Sequence, residues 1–181
     1  MPHIALPDET PGIAGLFAFR PETAGPLTAL AETLLRGPNS LSRGERELIA
    51  AYVSSLNACR FCASSHAAFA AAQLPEGRQL VDQVCADPHT APVSPKLGAL
   101  LRIAASVQRD GRSVSEDEVA AARKEGATDV EIHDTVLIAA AFCMFNRYVD
   151  GLAATVPEDP AAYAAMAERI VTHGYGSTVS G

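Results

Sequence analysis

"SRGERELIAAYVSSLNACRFCASSH" (residues 42–66) decides how this chain folds. Ser42 followed three residues later by Glu45 is the pattern of a capping box, which opens a helix. From there Ile49, Val53 and Leu56 recur at helical spacing as one apolar row, flanked by Leu48 and Tyr52. A second row, Glu47, Ala51, Ser54/Ser55 and Ala58, is built of small side chains with one carboxylate. Small side chains let a neighbouring helix come close. Asn57 suits a break, and a further helix is expected from Cys59 to about Gln73, with Pro75 just past its end. So tight a connection makes the two helices antiparallel neighbours.

Cys59, Cys62 and His66 then fall within roughly 60° of one another around the second helix, on one side of it. Cys59 sits at the helix N-terminus, where unpaired N–H groups and the positive end of the helix dipole favour a thiolate. His66 stands one turn beyond Cys62, placed to take or return a thiol proton. Glu47 lies about 16 Å back from the bend along the first helix and His66 roughly 10 Å along the second. The carboxylate is therefore expected to meet the imidazole before either sulfur, giving the order Glu47, His66, Cys62, with Cys59 as the second sulfur. Two other readings stay open. The cysteines are also consistent with small buried hydrophobes. As a minor alternative, Cys59, Cys62 and His66 could supply three zinc ligands with Glu47 or Cys85 as a fourth, although no second Cys-x-x-Cys or His-x₃₋₅-His pair is present.

Outward from this segment the pattern stays helical. Helices are expected over 23–36, 76–86 and from Ser94-Pro95 to about Arg109. Others run from the Ser115/Glu118 box to about Gly126, from the Thr128/Glu131 box to about Val149, and from about Pro160 onward. Alanine dominates, tryptophan is absent, and few segments alternate like strands. The expected class is all-α, with a central antiparallel helix pair carrying the CxxC motif. The expected organisation is an extended N-terminal arm over 1–22, one helical domain over 23–173 and a flexible tail over 174–181.

The chain has 181 residues and a net charge of −7. An acidic chain without a basic run is a poor partner for nucleic acid or anionic membrane. No apolar stretch reaches the roughly 20 residues that span a bilayer. The first ten residues lack the regions of a signal peptide, so a cytoplasmic location is expected, where thiols stay reduced unless they do chemistry. Four cysteines are too few for a disulfide scaffold. Cys85 and Cys143 read as core residues and His89 as a solvated loop residue. His133 reads as structural, and His3 and His173 carry no signal.

The stretch 42–66 resembles the core of the AhpD-type alkylhydroperoxidases, within the carboxymuconolactone decarboxylase-like superfamily. Their pattern is Glu, eleven residues, Cys-x-x-Cys, three residues, His, and Glu47, Cys59, Cys62 and His66 match it. "GATDVEIHDTVLIAAAFCMFNRYVDGL" (126–152) is similar to a second stretch of the peroxidase-related branch. The resemblance implies an AhpD-like helical domain, a homo-oligomer, and thiol-dependent reduction of organic hydroperoxides in antioxidant defence. By the same resemblance Cys62 is the peroxidatic cysteine, while Cys59 resolves it and gives a proton to the leaving alcohol. Glu47 and His66 activate the thiols. No metal, haem or flavin is implied; electrons return from an external dithiol, a lipoyl protein or a thioredoxin-like donor. A general thiol–disulfide oxidoreductase uses the same cysteines, and a non-enzymatic or zinc-binding interaction module is the third reading. One position departs from the pattern. The best-known alkylhydroperoxidases have a histidine just before the second cysteine, and this chain has Phe61. Asn146 and Arg147 match the second stretch and are expected to fix packing or a subunit interface.

Overall fold

A computed structural model describes residues 1–178. Among them there are helices and no strands. The helices are α1 (Gly12–Phe19), α2 (Pro21–Arg36), α3 (Arg43–Leu56), α4 (Arg60–Ala71), α5 (Gly77–Ala86), α6 (Pro95–Arg109), α7 (Glu116–Lys124), α8 (Asp129–Gly151) and α9 (Pro160–His173). The three capping boxes are formed as the sequence implies, at Ser42/Glu45, Ser115/Glu118 and Thr128/Glu131.

α3 is the centre of the core. Gly44 and every residue from Arg46 to Ser54 are buried, because α4, α5, α6 and α8 pack around it. Leu56 departs from the expected apolar row: it is 41% exposed, since α3 has reached the surface where the chain turns. The turn to α4 is closed by Cys59 N–H donating to the Ser54 carbonyl at 3.1 Å, with Ala58 in the left-handed region at φ 56°. α8 lies beside α3 and α6 and is held at its N-terminus by a buried carboxylate. Glu131 accepts from Lys96 Nζ (2.7 Å), Ser40 Oγ (2.9 Å) and its own Thr128 N–H (2.7 Å). Burial raises the Glu131 pKa, but these donors outweigh it and hold the group at about 2.

Two expectations about the chain ends are corrected. Residues 12–19 are not an extended arm but α1, whose Leu16 and Phe17 are buried. The glycines of "GIAGLFAF" weaken the helical signal, yet one of them is required by packing. Gly12 has φ 62°, and a Cβ there would lie 2.0 Å from the Phe61 ring. α1 is thereby seated against α4. At the other end, Tyr175 is buried and anchored, with its N–H on Glu32 at 2.8 Å. Gly174, at φ 78°, turns the chain there, and any Cβ would strike the Glu32 carboxylate. The rest of the expected tail, residues 179–181, lies outside the described residues. Cys85 and Cys143 are half-buried rather than core residues. No helix among the described residues is long and apolar enough to cross a membrane.

Candidate active site

The antiparallel pair α3–α4 brings Glu47 and His66 together. His66 Nδ1 lies 2.7 Å from Glu47 Oε2, and both side chains are buried. A carboxylate opposite Nδ1 fixes the hydrogen on that nitrogen and leaves Nε2 as the acceptor. The imidazole is clamped by ring edges, with centroids 4.5 Å from Phe142 and 5.0 Å from Phe69. The second oxygen of Glu47 is met by a residue the sequence does not single out. Tyr175 Oη donates to Glu47 Oε1 at 2.6 Å. Burial, then the adjacent carboxylate, pushes the Tyr175 pKa well above its ordinary value, so the phenol stays protonated and donates.

One turn N-terminal to His66 is Cys62, and Cys59 caps the helix behind it. Both are free thiols and buried. A hydrogen bond from Cys59 is the main influence lowering the Cys62 pKa; burial opposes it, and the His66 charge and the Asn146 amide add to the lowering. The same bond, followed by burial, drives the Cys59 pKa far up. A helix N-terminus by itself favours a thiolate at Cys59; the packing instead lowers the pKa of Cys62, the sulfur to which the resemblance assigns the peroxidatic role. The shared hydrogen remains on Cys59, and Cys62 ionises first.

α8 supplies the remaining wall, antiparallel to α4. Phe142 faces His66, Asn146 reaches Cys62 and Asp150 reaches Cys59. Asn146 is held in place by a chain of amides. Gln108 donates to Asn57 (2.9 Å), Asn57 donates to Asn146 (2.8 Å), and Asn146 donates to Ser54 (3.1 Å). Its packing role is as the sequence implies; its contact with the sulfur is not. The available signal is one amide in the otherwise apolar run "AAAFCMFN". Arg147 bonds back to the Cys143 carbonyl, and His133 is exposed beside Asp134. Among the described residues no group of three or more His, Cys, Asp or Glu is arranged to hold a metal ion.

A cavity of about 410 Å³ opens between α1, α2, α4, α8 and α9 and ends on Cys62 and His66. Cys59 does not border it. Phe61, the position that departs from the alkylhydroperoxidase pattern, forms part of its wall, together with Phe69, Phe142 and Phe145. The arrangement is a buried dithiol whose more readily ionised sulfur lies at the end of an apolar chamber, backed by an acid–imidazole couple.

The sequence model of the Carboxymuconolactone decarboxylase family matches residues 21–74, the segment that carries Glu47, both cysteines and His66. Among solved structures, an uncharacterized peroxidase-related protein from Silicibacter sp. TM1040 is 30% identical. It superposes with a TM-score of 0.76, and the match covers 85% of this chain and 78% of that one. The chain belongs to the AhpD-like, carboxymuconolactone decarboxylase superfamily. A second structure is described as an alkylhydroperoxidase AhpD core, an uncharacterized peroxidase-related protein from Ralstonia eutropha JMP134. It is 26% identical with a TM-score of 0.77, the match covering 87% of this AhpD-like chain and 81% of that one. No curated protein matches the chain.

Proposed function

We propose that this AhpD-like chain is a thiol-dependent peroxidase that reduces organic hydroperoxides through Cys59 and Cys62. The observation that carries the reading is the asymmetry of the two thiols: the sulfur bordering the cavity is the one whose ionisation is favoured. Cys62 thiolate attacks the terminal oxygen of the hydroperoxide, breaking the O–O bond to give Cys62 sulfenic acid and an alkoxide. The proton that completes the alcohol comes from the Cys59 thiol. Cys59, now a thiolate, then attacks the sulfenic sulfur and the disulfide forms; the departing hydroxide takes back the proton that Cys62 had given to His66 and leaves as water. Glu47 orients His66, which accepts the Cys62 proton at Nε2 and, once charged, supports the thiolate. An external dithiol reduces the disulfide, and the reaction needs no other group.

Burial also bears on the partners. Cys59 is wholly buried and Cys62 nearly so, which favours a reductant on a slender arm, as on a lipoyl protein, over the broad face of a thioredoxin-like donor. It equally disfavours the general oxidoreductase reading, because a disulfide on a folded protein cannot reach these sulfurs. A homo-oligomer is the further expectation. Val130, Leu137 and Met144 form an exposed apolar stripe at seven-residue spacing on α8, suited to a second copy of the chain. Light scattering should give a mass above the 18.9 kDa of one chain, lowered by Leu137→Glu.

The deciding experiment is consumption of cumene hydroperoxide with a dithiol donor, combined with thiol counting. The wild type should turn over, Cys62→Ser should not, and one equivalent of peroxide should remove two thiols mapping to Cys59 and Cys62. Turnover no greater than that of Cys62→Ser would overturn the proposal.

A further inference from the structure

One polar group bordering the cavity is left unused by the mechanism above and, among the described residues, is also buried without a partner. Ser65 lies three residues after Cys62 on α4, so the two side chains are neighbours on one helix face. Ser65 borders the cavity, is 3% exposed, and among the described residues its Oγ has no hydrogen-bond partner. A serine inside a helix ordinarily turns its hydroxyl onto a carbonyl three or four residues back. Thr28, on the opposite wall, does so, donating to the Ala24 carbonyl at 2.7 Å. Tyr175 and His66 are engaged by Glu47. An unpaired hydroxyl buried among aromatic rings is unfavourable, and a ligand oxygen beside Cys62 would relieve it.

A second polar feature lies on α9. Arg169 borders the cavity as the one Lys, Arg, Asp or Glu among the described lining residues, it is solvent-exposed, and among the described residues it makes no ion pair. The chamber thus has a hydroxyl beside the reactive sulfur, an aromatic middle and a cation at the mouth.

We propose that the site takes an amphipathic hydroperoxy carboxylic acid. Its peroxide end hydrogen-bonds to Ser65 beside Cys62, its apolar body lies among the phenylalanines, and its carboxylate meets Arg169. Ser65 keeps its proton throughout. It donates to the oxygen that becomes the alkoxide as the O–O bond breaks, and the proton completing the alcohol still comes from the dithiol. The redox step rests on the peroxidase reading; the binding mode does not, because the alcohol product carries the same oxygen.

The test therefore uses an unreactive product analogue. Reduced protein is titrated calorimetrically with 8-hydroxyoctanoate and with octan-1-ol. The wild type should bind the acid about fivefold or more tightly than the alcohol, and Arg169→Gln should erase that preference. Ser65→Ala should weaken both ligands ~3–10-fold. Because it removes an unsatisfied hydroxyl, the same variant should melt higher, by about 2–4 °C. Equal affinity for acid and alcohol in the wild type would overturn the proposal. So would unchanged binding in Ser65→Ala, or a lowered melting temperature, which would mean that the hydroxyl has a structural partner. The expected binding pattern without turnover of 8-hydroperoxyoctanoate would support this inference and sink the peroxidase reading alone.

Discussion

A free cysteine in water loses its proton near pH 8.5, so its reactivity at neutral pH depends on its surroundings. Here one hydrogen bond divides two adjacent thiols: Cys59 keeps its hydrogen and Cys62 gives it up more readily. The rate of iodoacetamide modification at Cys62 should therefore level off at a lower pH than for free cysteine. His66→Ala removes a supporting charge and should move that midpoint upward, while Glu47→Gln should move it the same way through the imidazole. Peptide-resolved alkylation across pH 5–10 reads both, and a curve indifferent to either change would remove the acid–imidazole couple from the mechanism. Tyr175 is tested separately. Tyr175→Phe leaves a buried carboxylate oxygen without its donor, which costs about 1–3 kcal/mol in a urea melt and should slow peroxide turnover.

At the scale of elements, the site is an intersection of three helices rather than a motif on one. α4 carries the sulfurs and imidazole, α3 the carboxylate, and α8 the phenylalanine, amide and carboxylate that meet them in antiparallel order. α1 closes the chamber, and it can do so only because Gly12 yields its Cβ space to Phe61 and accepts a left-handed backbone. Gly12→Ala combines the left-handed penalty with an overpacked contact, so a loss of about 3 kcal/mol is expected. Denaturant unfolding measures it. Because the lost packing is that of the cavity wall, affinity for an organic hydroperoxide should fall alongside stability.

For the molecule as a whole, the buried Glu131 hub joins the N-termini of α6 and α8 to the loop before α3. Its folded pKa of about 2 lies below the ordinary 4.5. A depressed carboxylate contributes stability that is fully present above the unfolded pKa and disappears as pH falls through the folded one. The stabilisation, about 3 kcal/mol from the shift, should thus be complete above pH 5 and vanish between roughly pH 4.5 and 2. Lys96→Met should lower stability at pH 7 by about 3 kcal/mol and flatten that acid limb. Urea melts at a series of pH values give both. Tyr175 matters at the same scale, since it reaches Glu47 across 128 residues and ties the segment after α9 to the site.

Much of this was legible from order and spacing alone. The capping boxes at Ser42, Ser115 and Thr128 marked helix starts because a cap is a contact between residues three apart. The helical period put Cys59, Cys62 and His66 on one side of α4, and the short turn implied that Glu47 would come back to His66. Such features depend on local geometry, which sequence encodes directly. Tyr175, Asn146 and Ser65 were not legible in the same way. Tyr175 has value only as the donor to a carboxylate far away in the chain, and Asn146 only because α8 runs antiparallel to α4. Ser65 stands out only because the cavity leaves its hydroxyl unpaired. Which thiol holds the hydrogen was likewise decided by tertiary packing. A helix terminus favours the thiolate at Cys59, but a neighbouring sulfur and the exclusion of water outweigh a partial charge at the end of a helix.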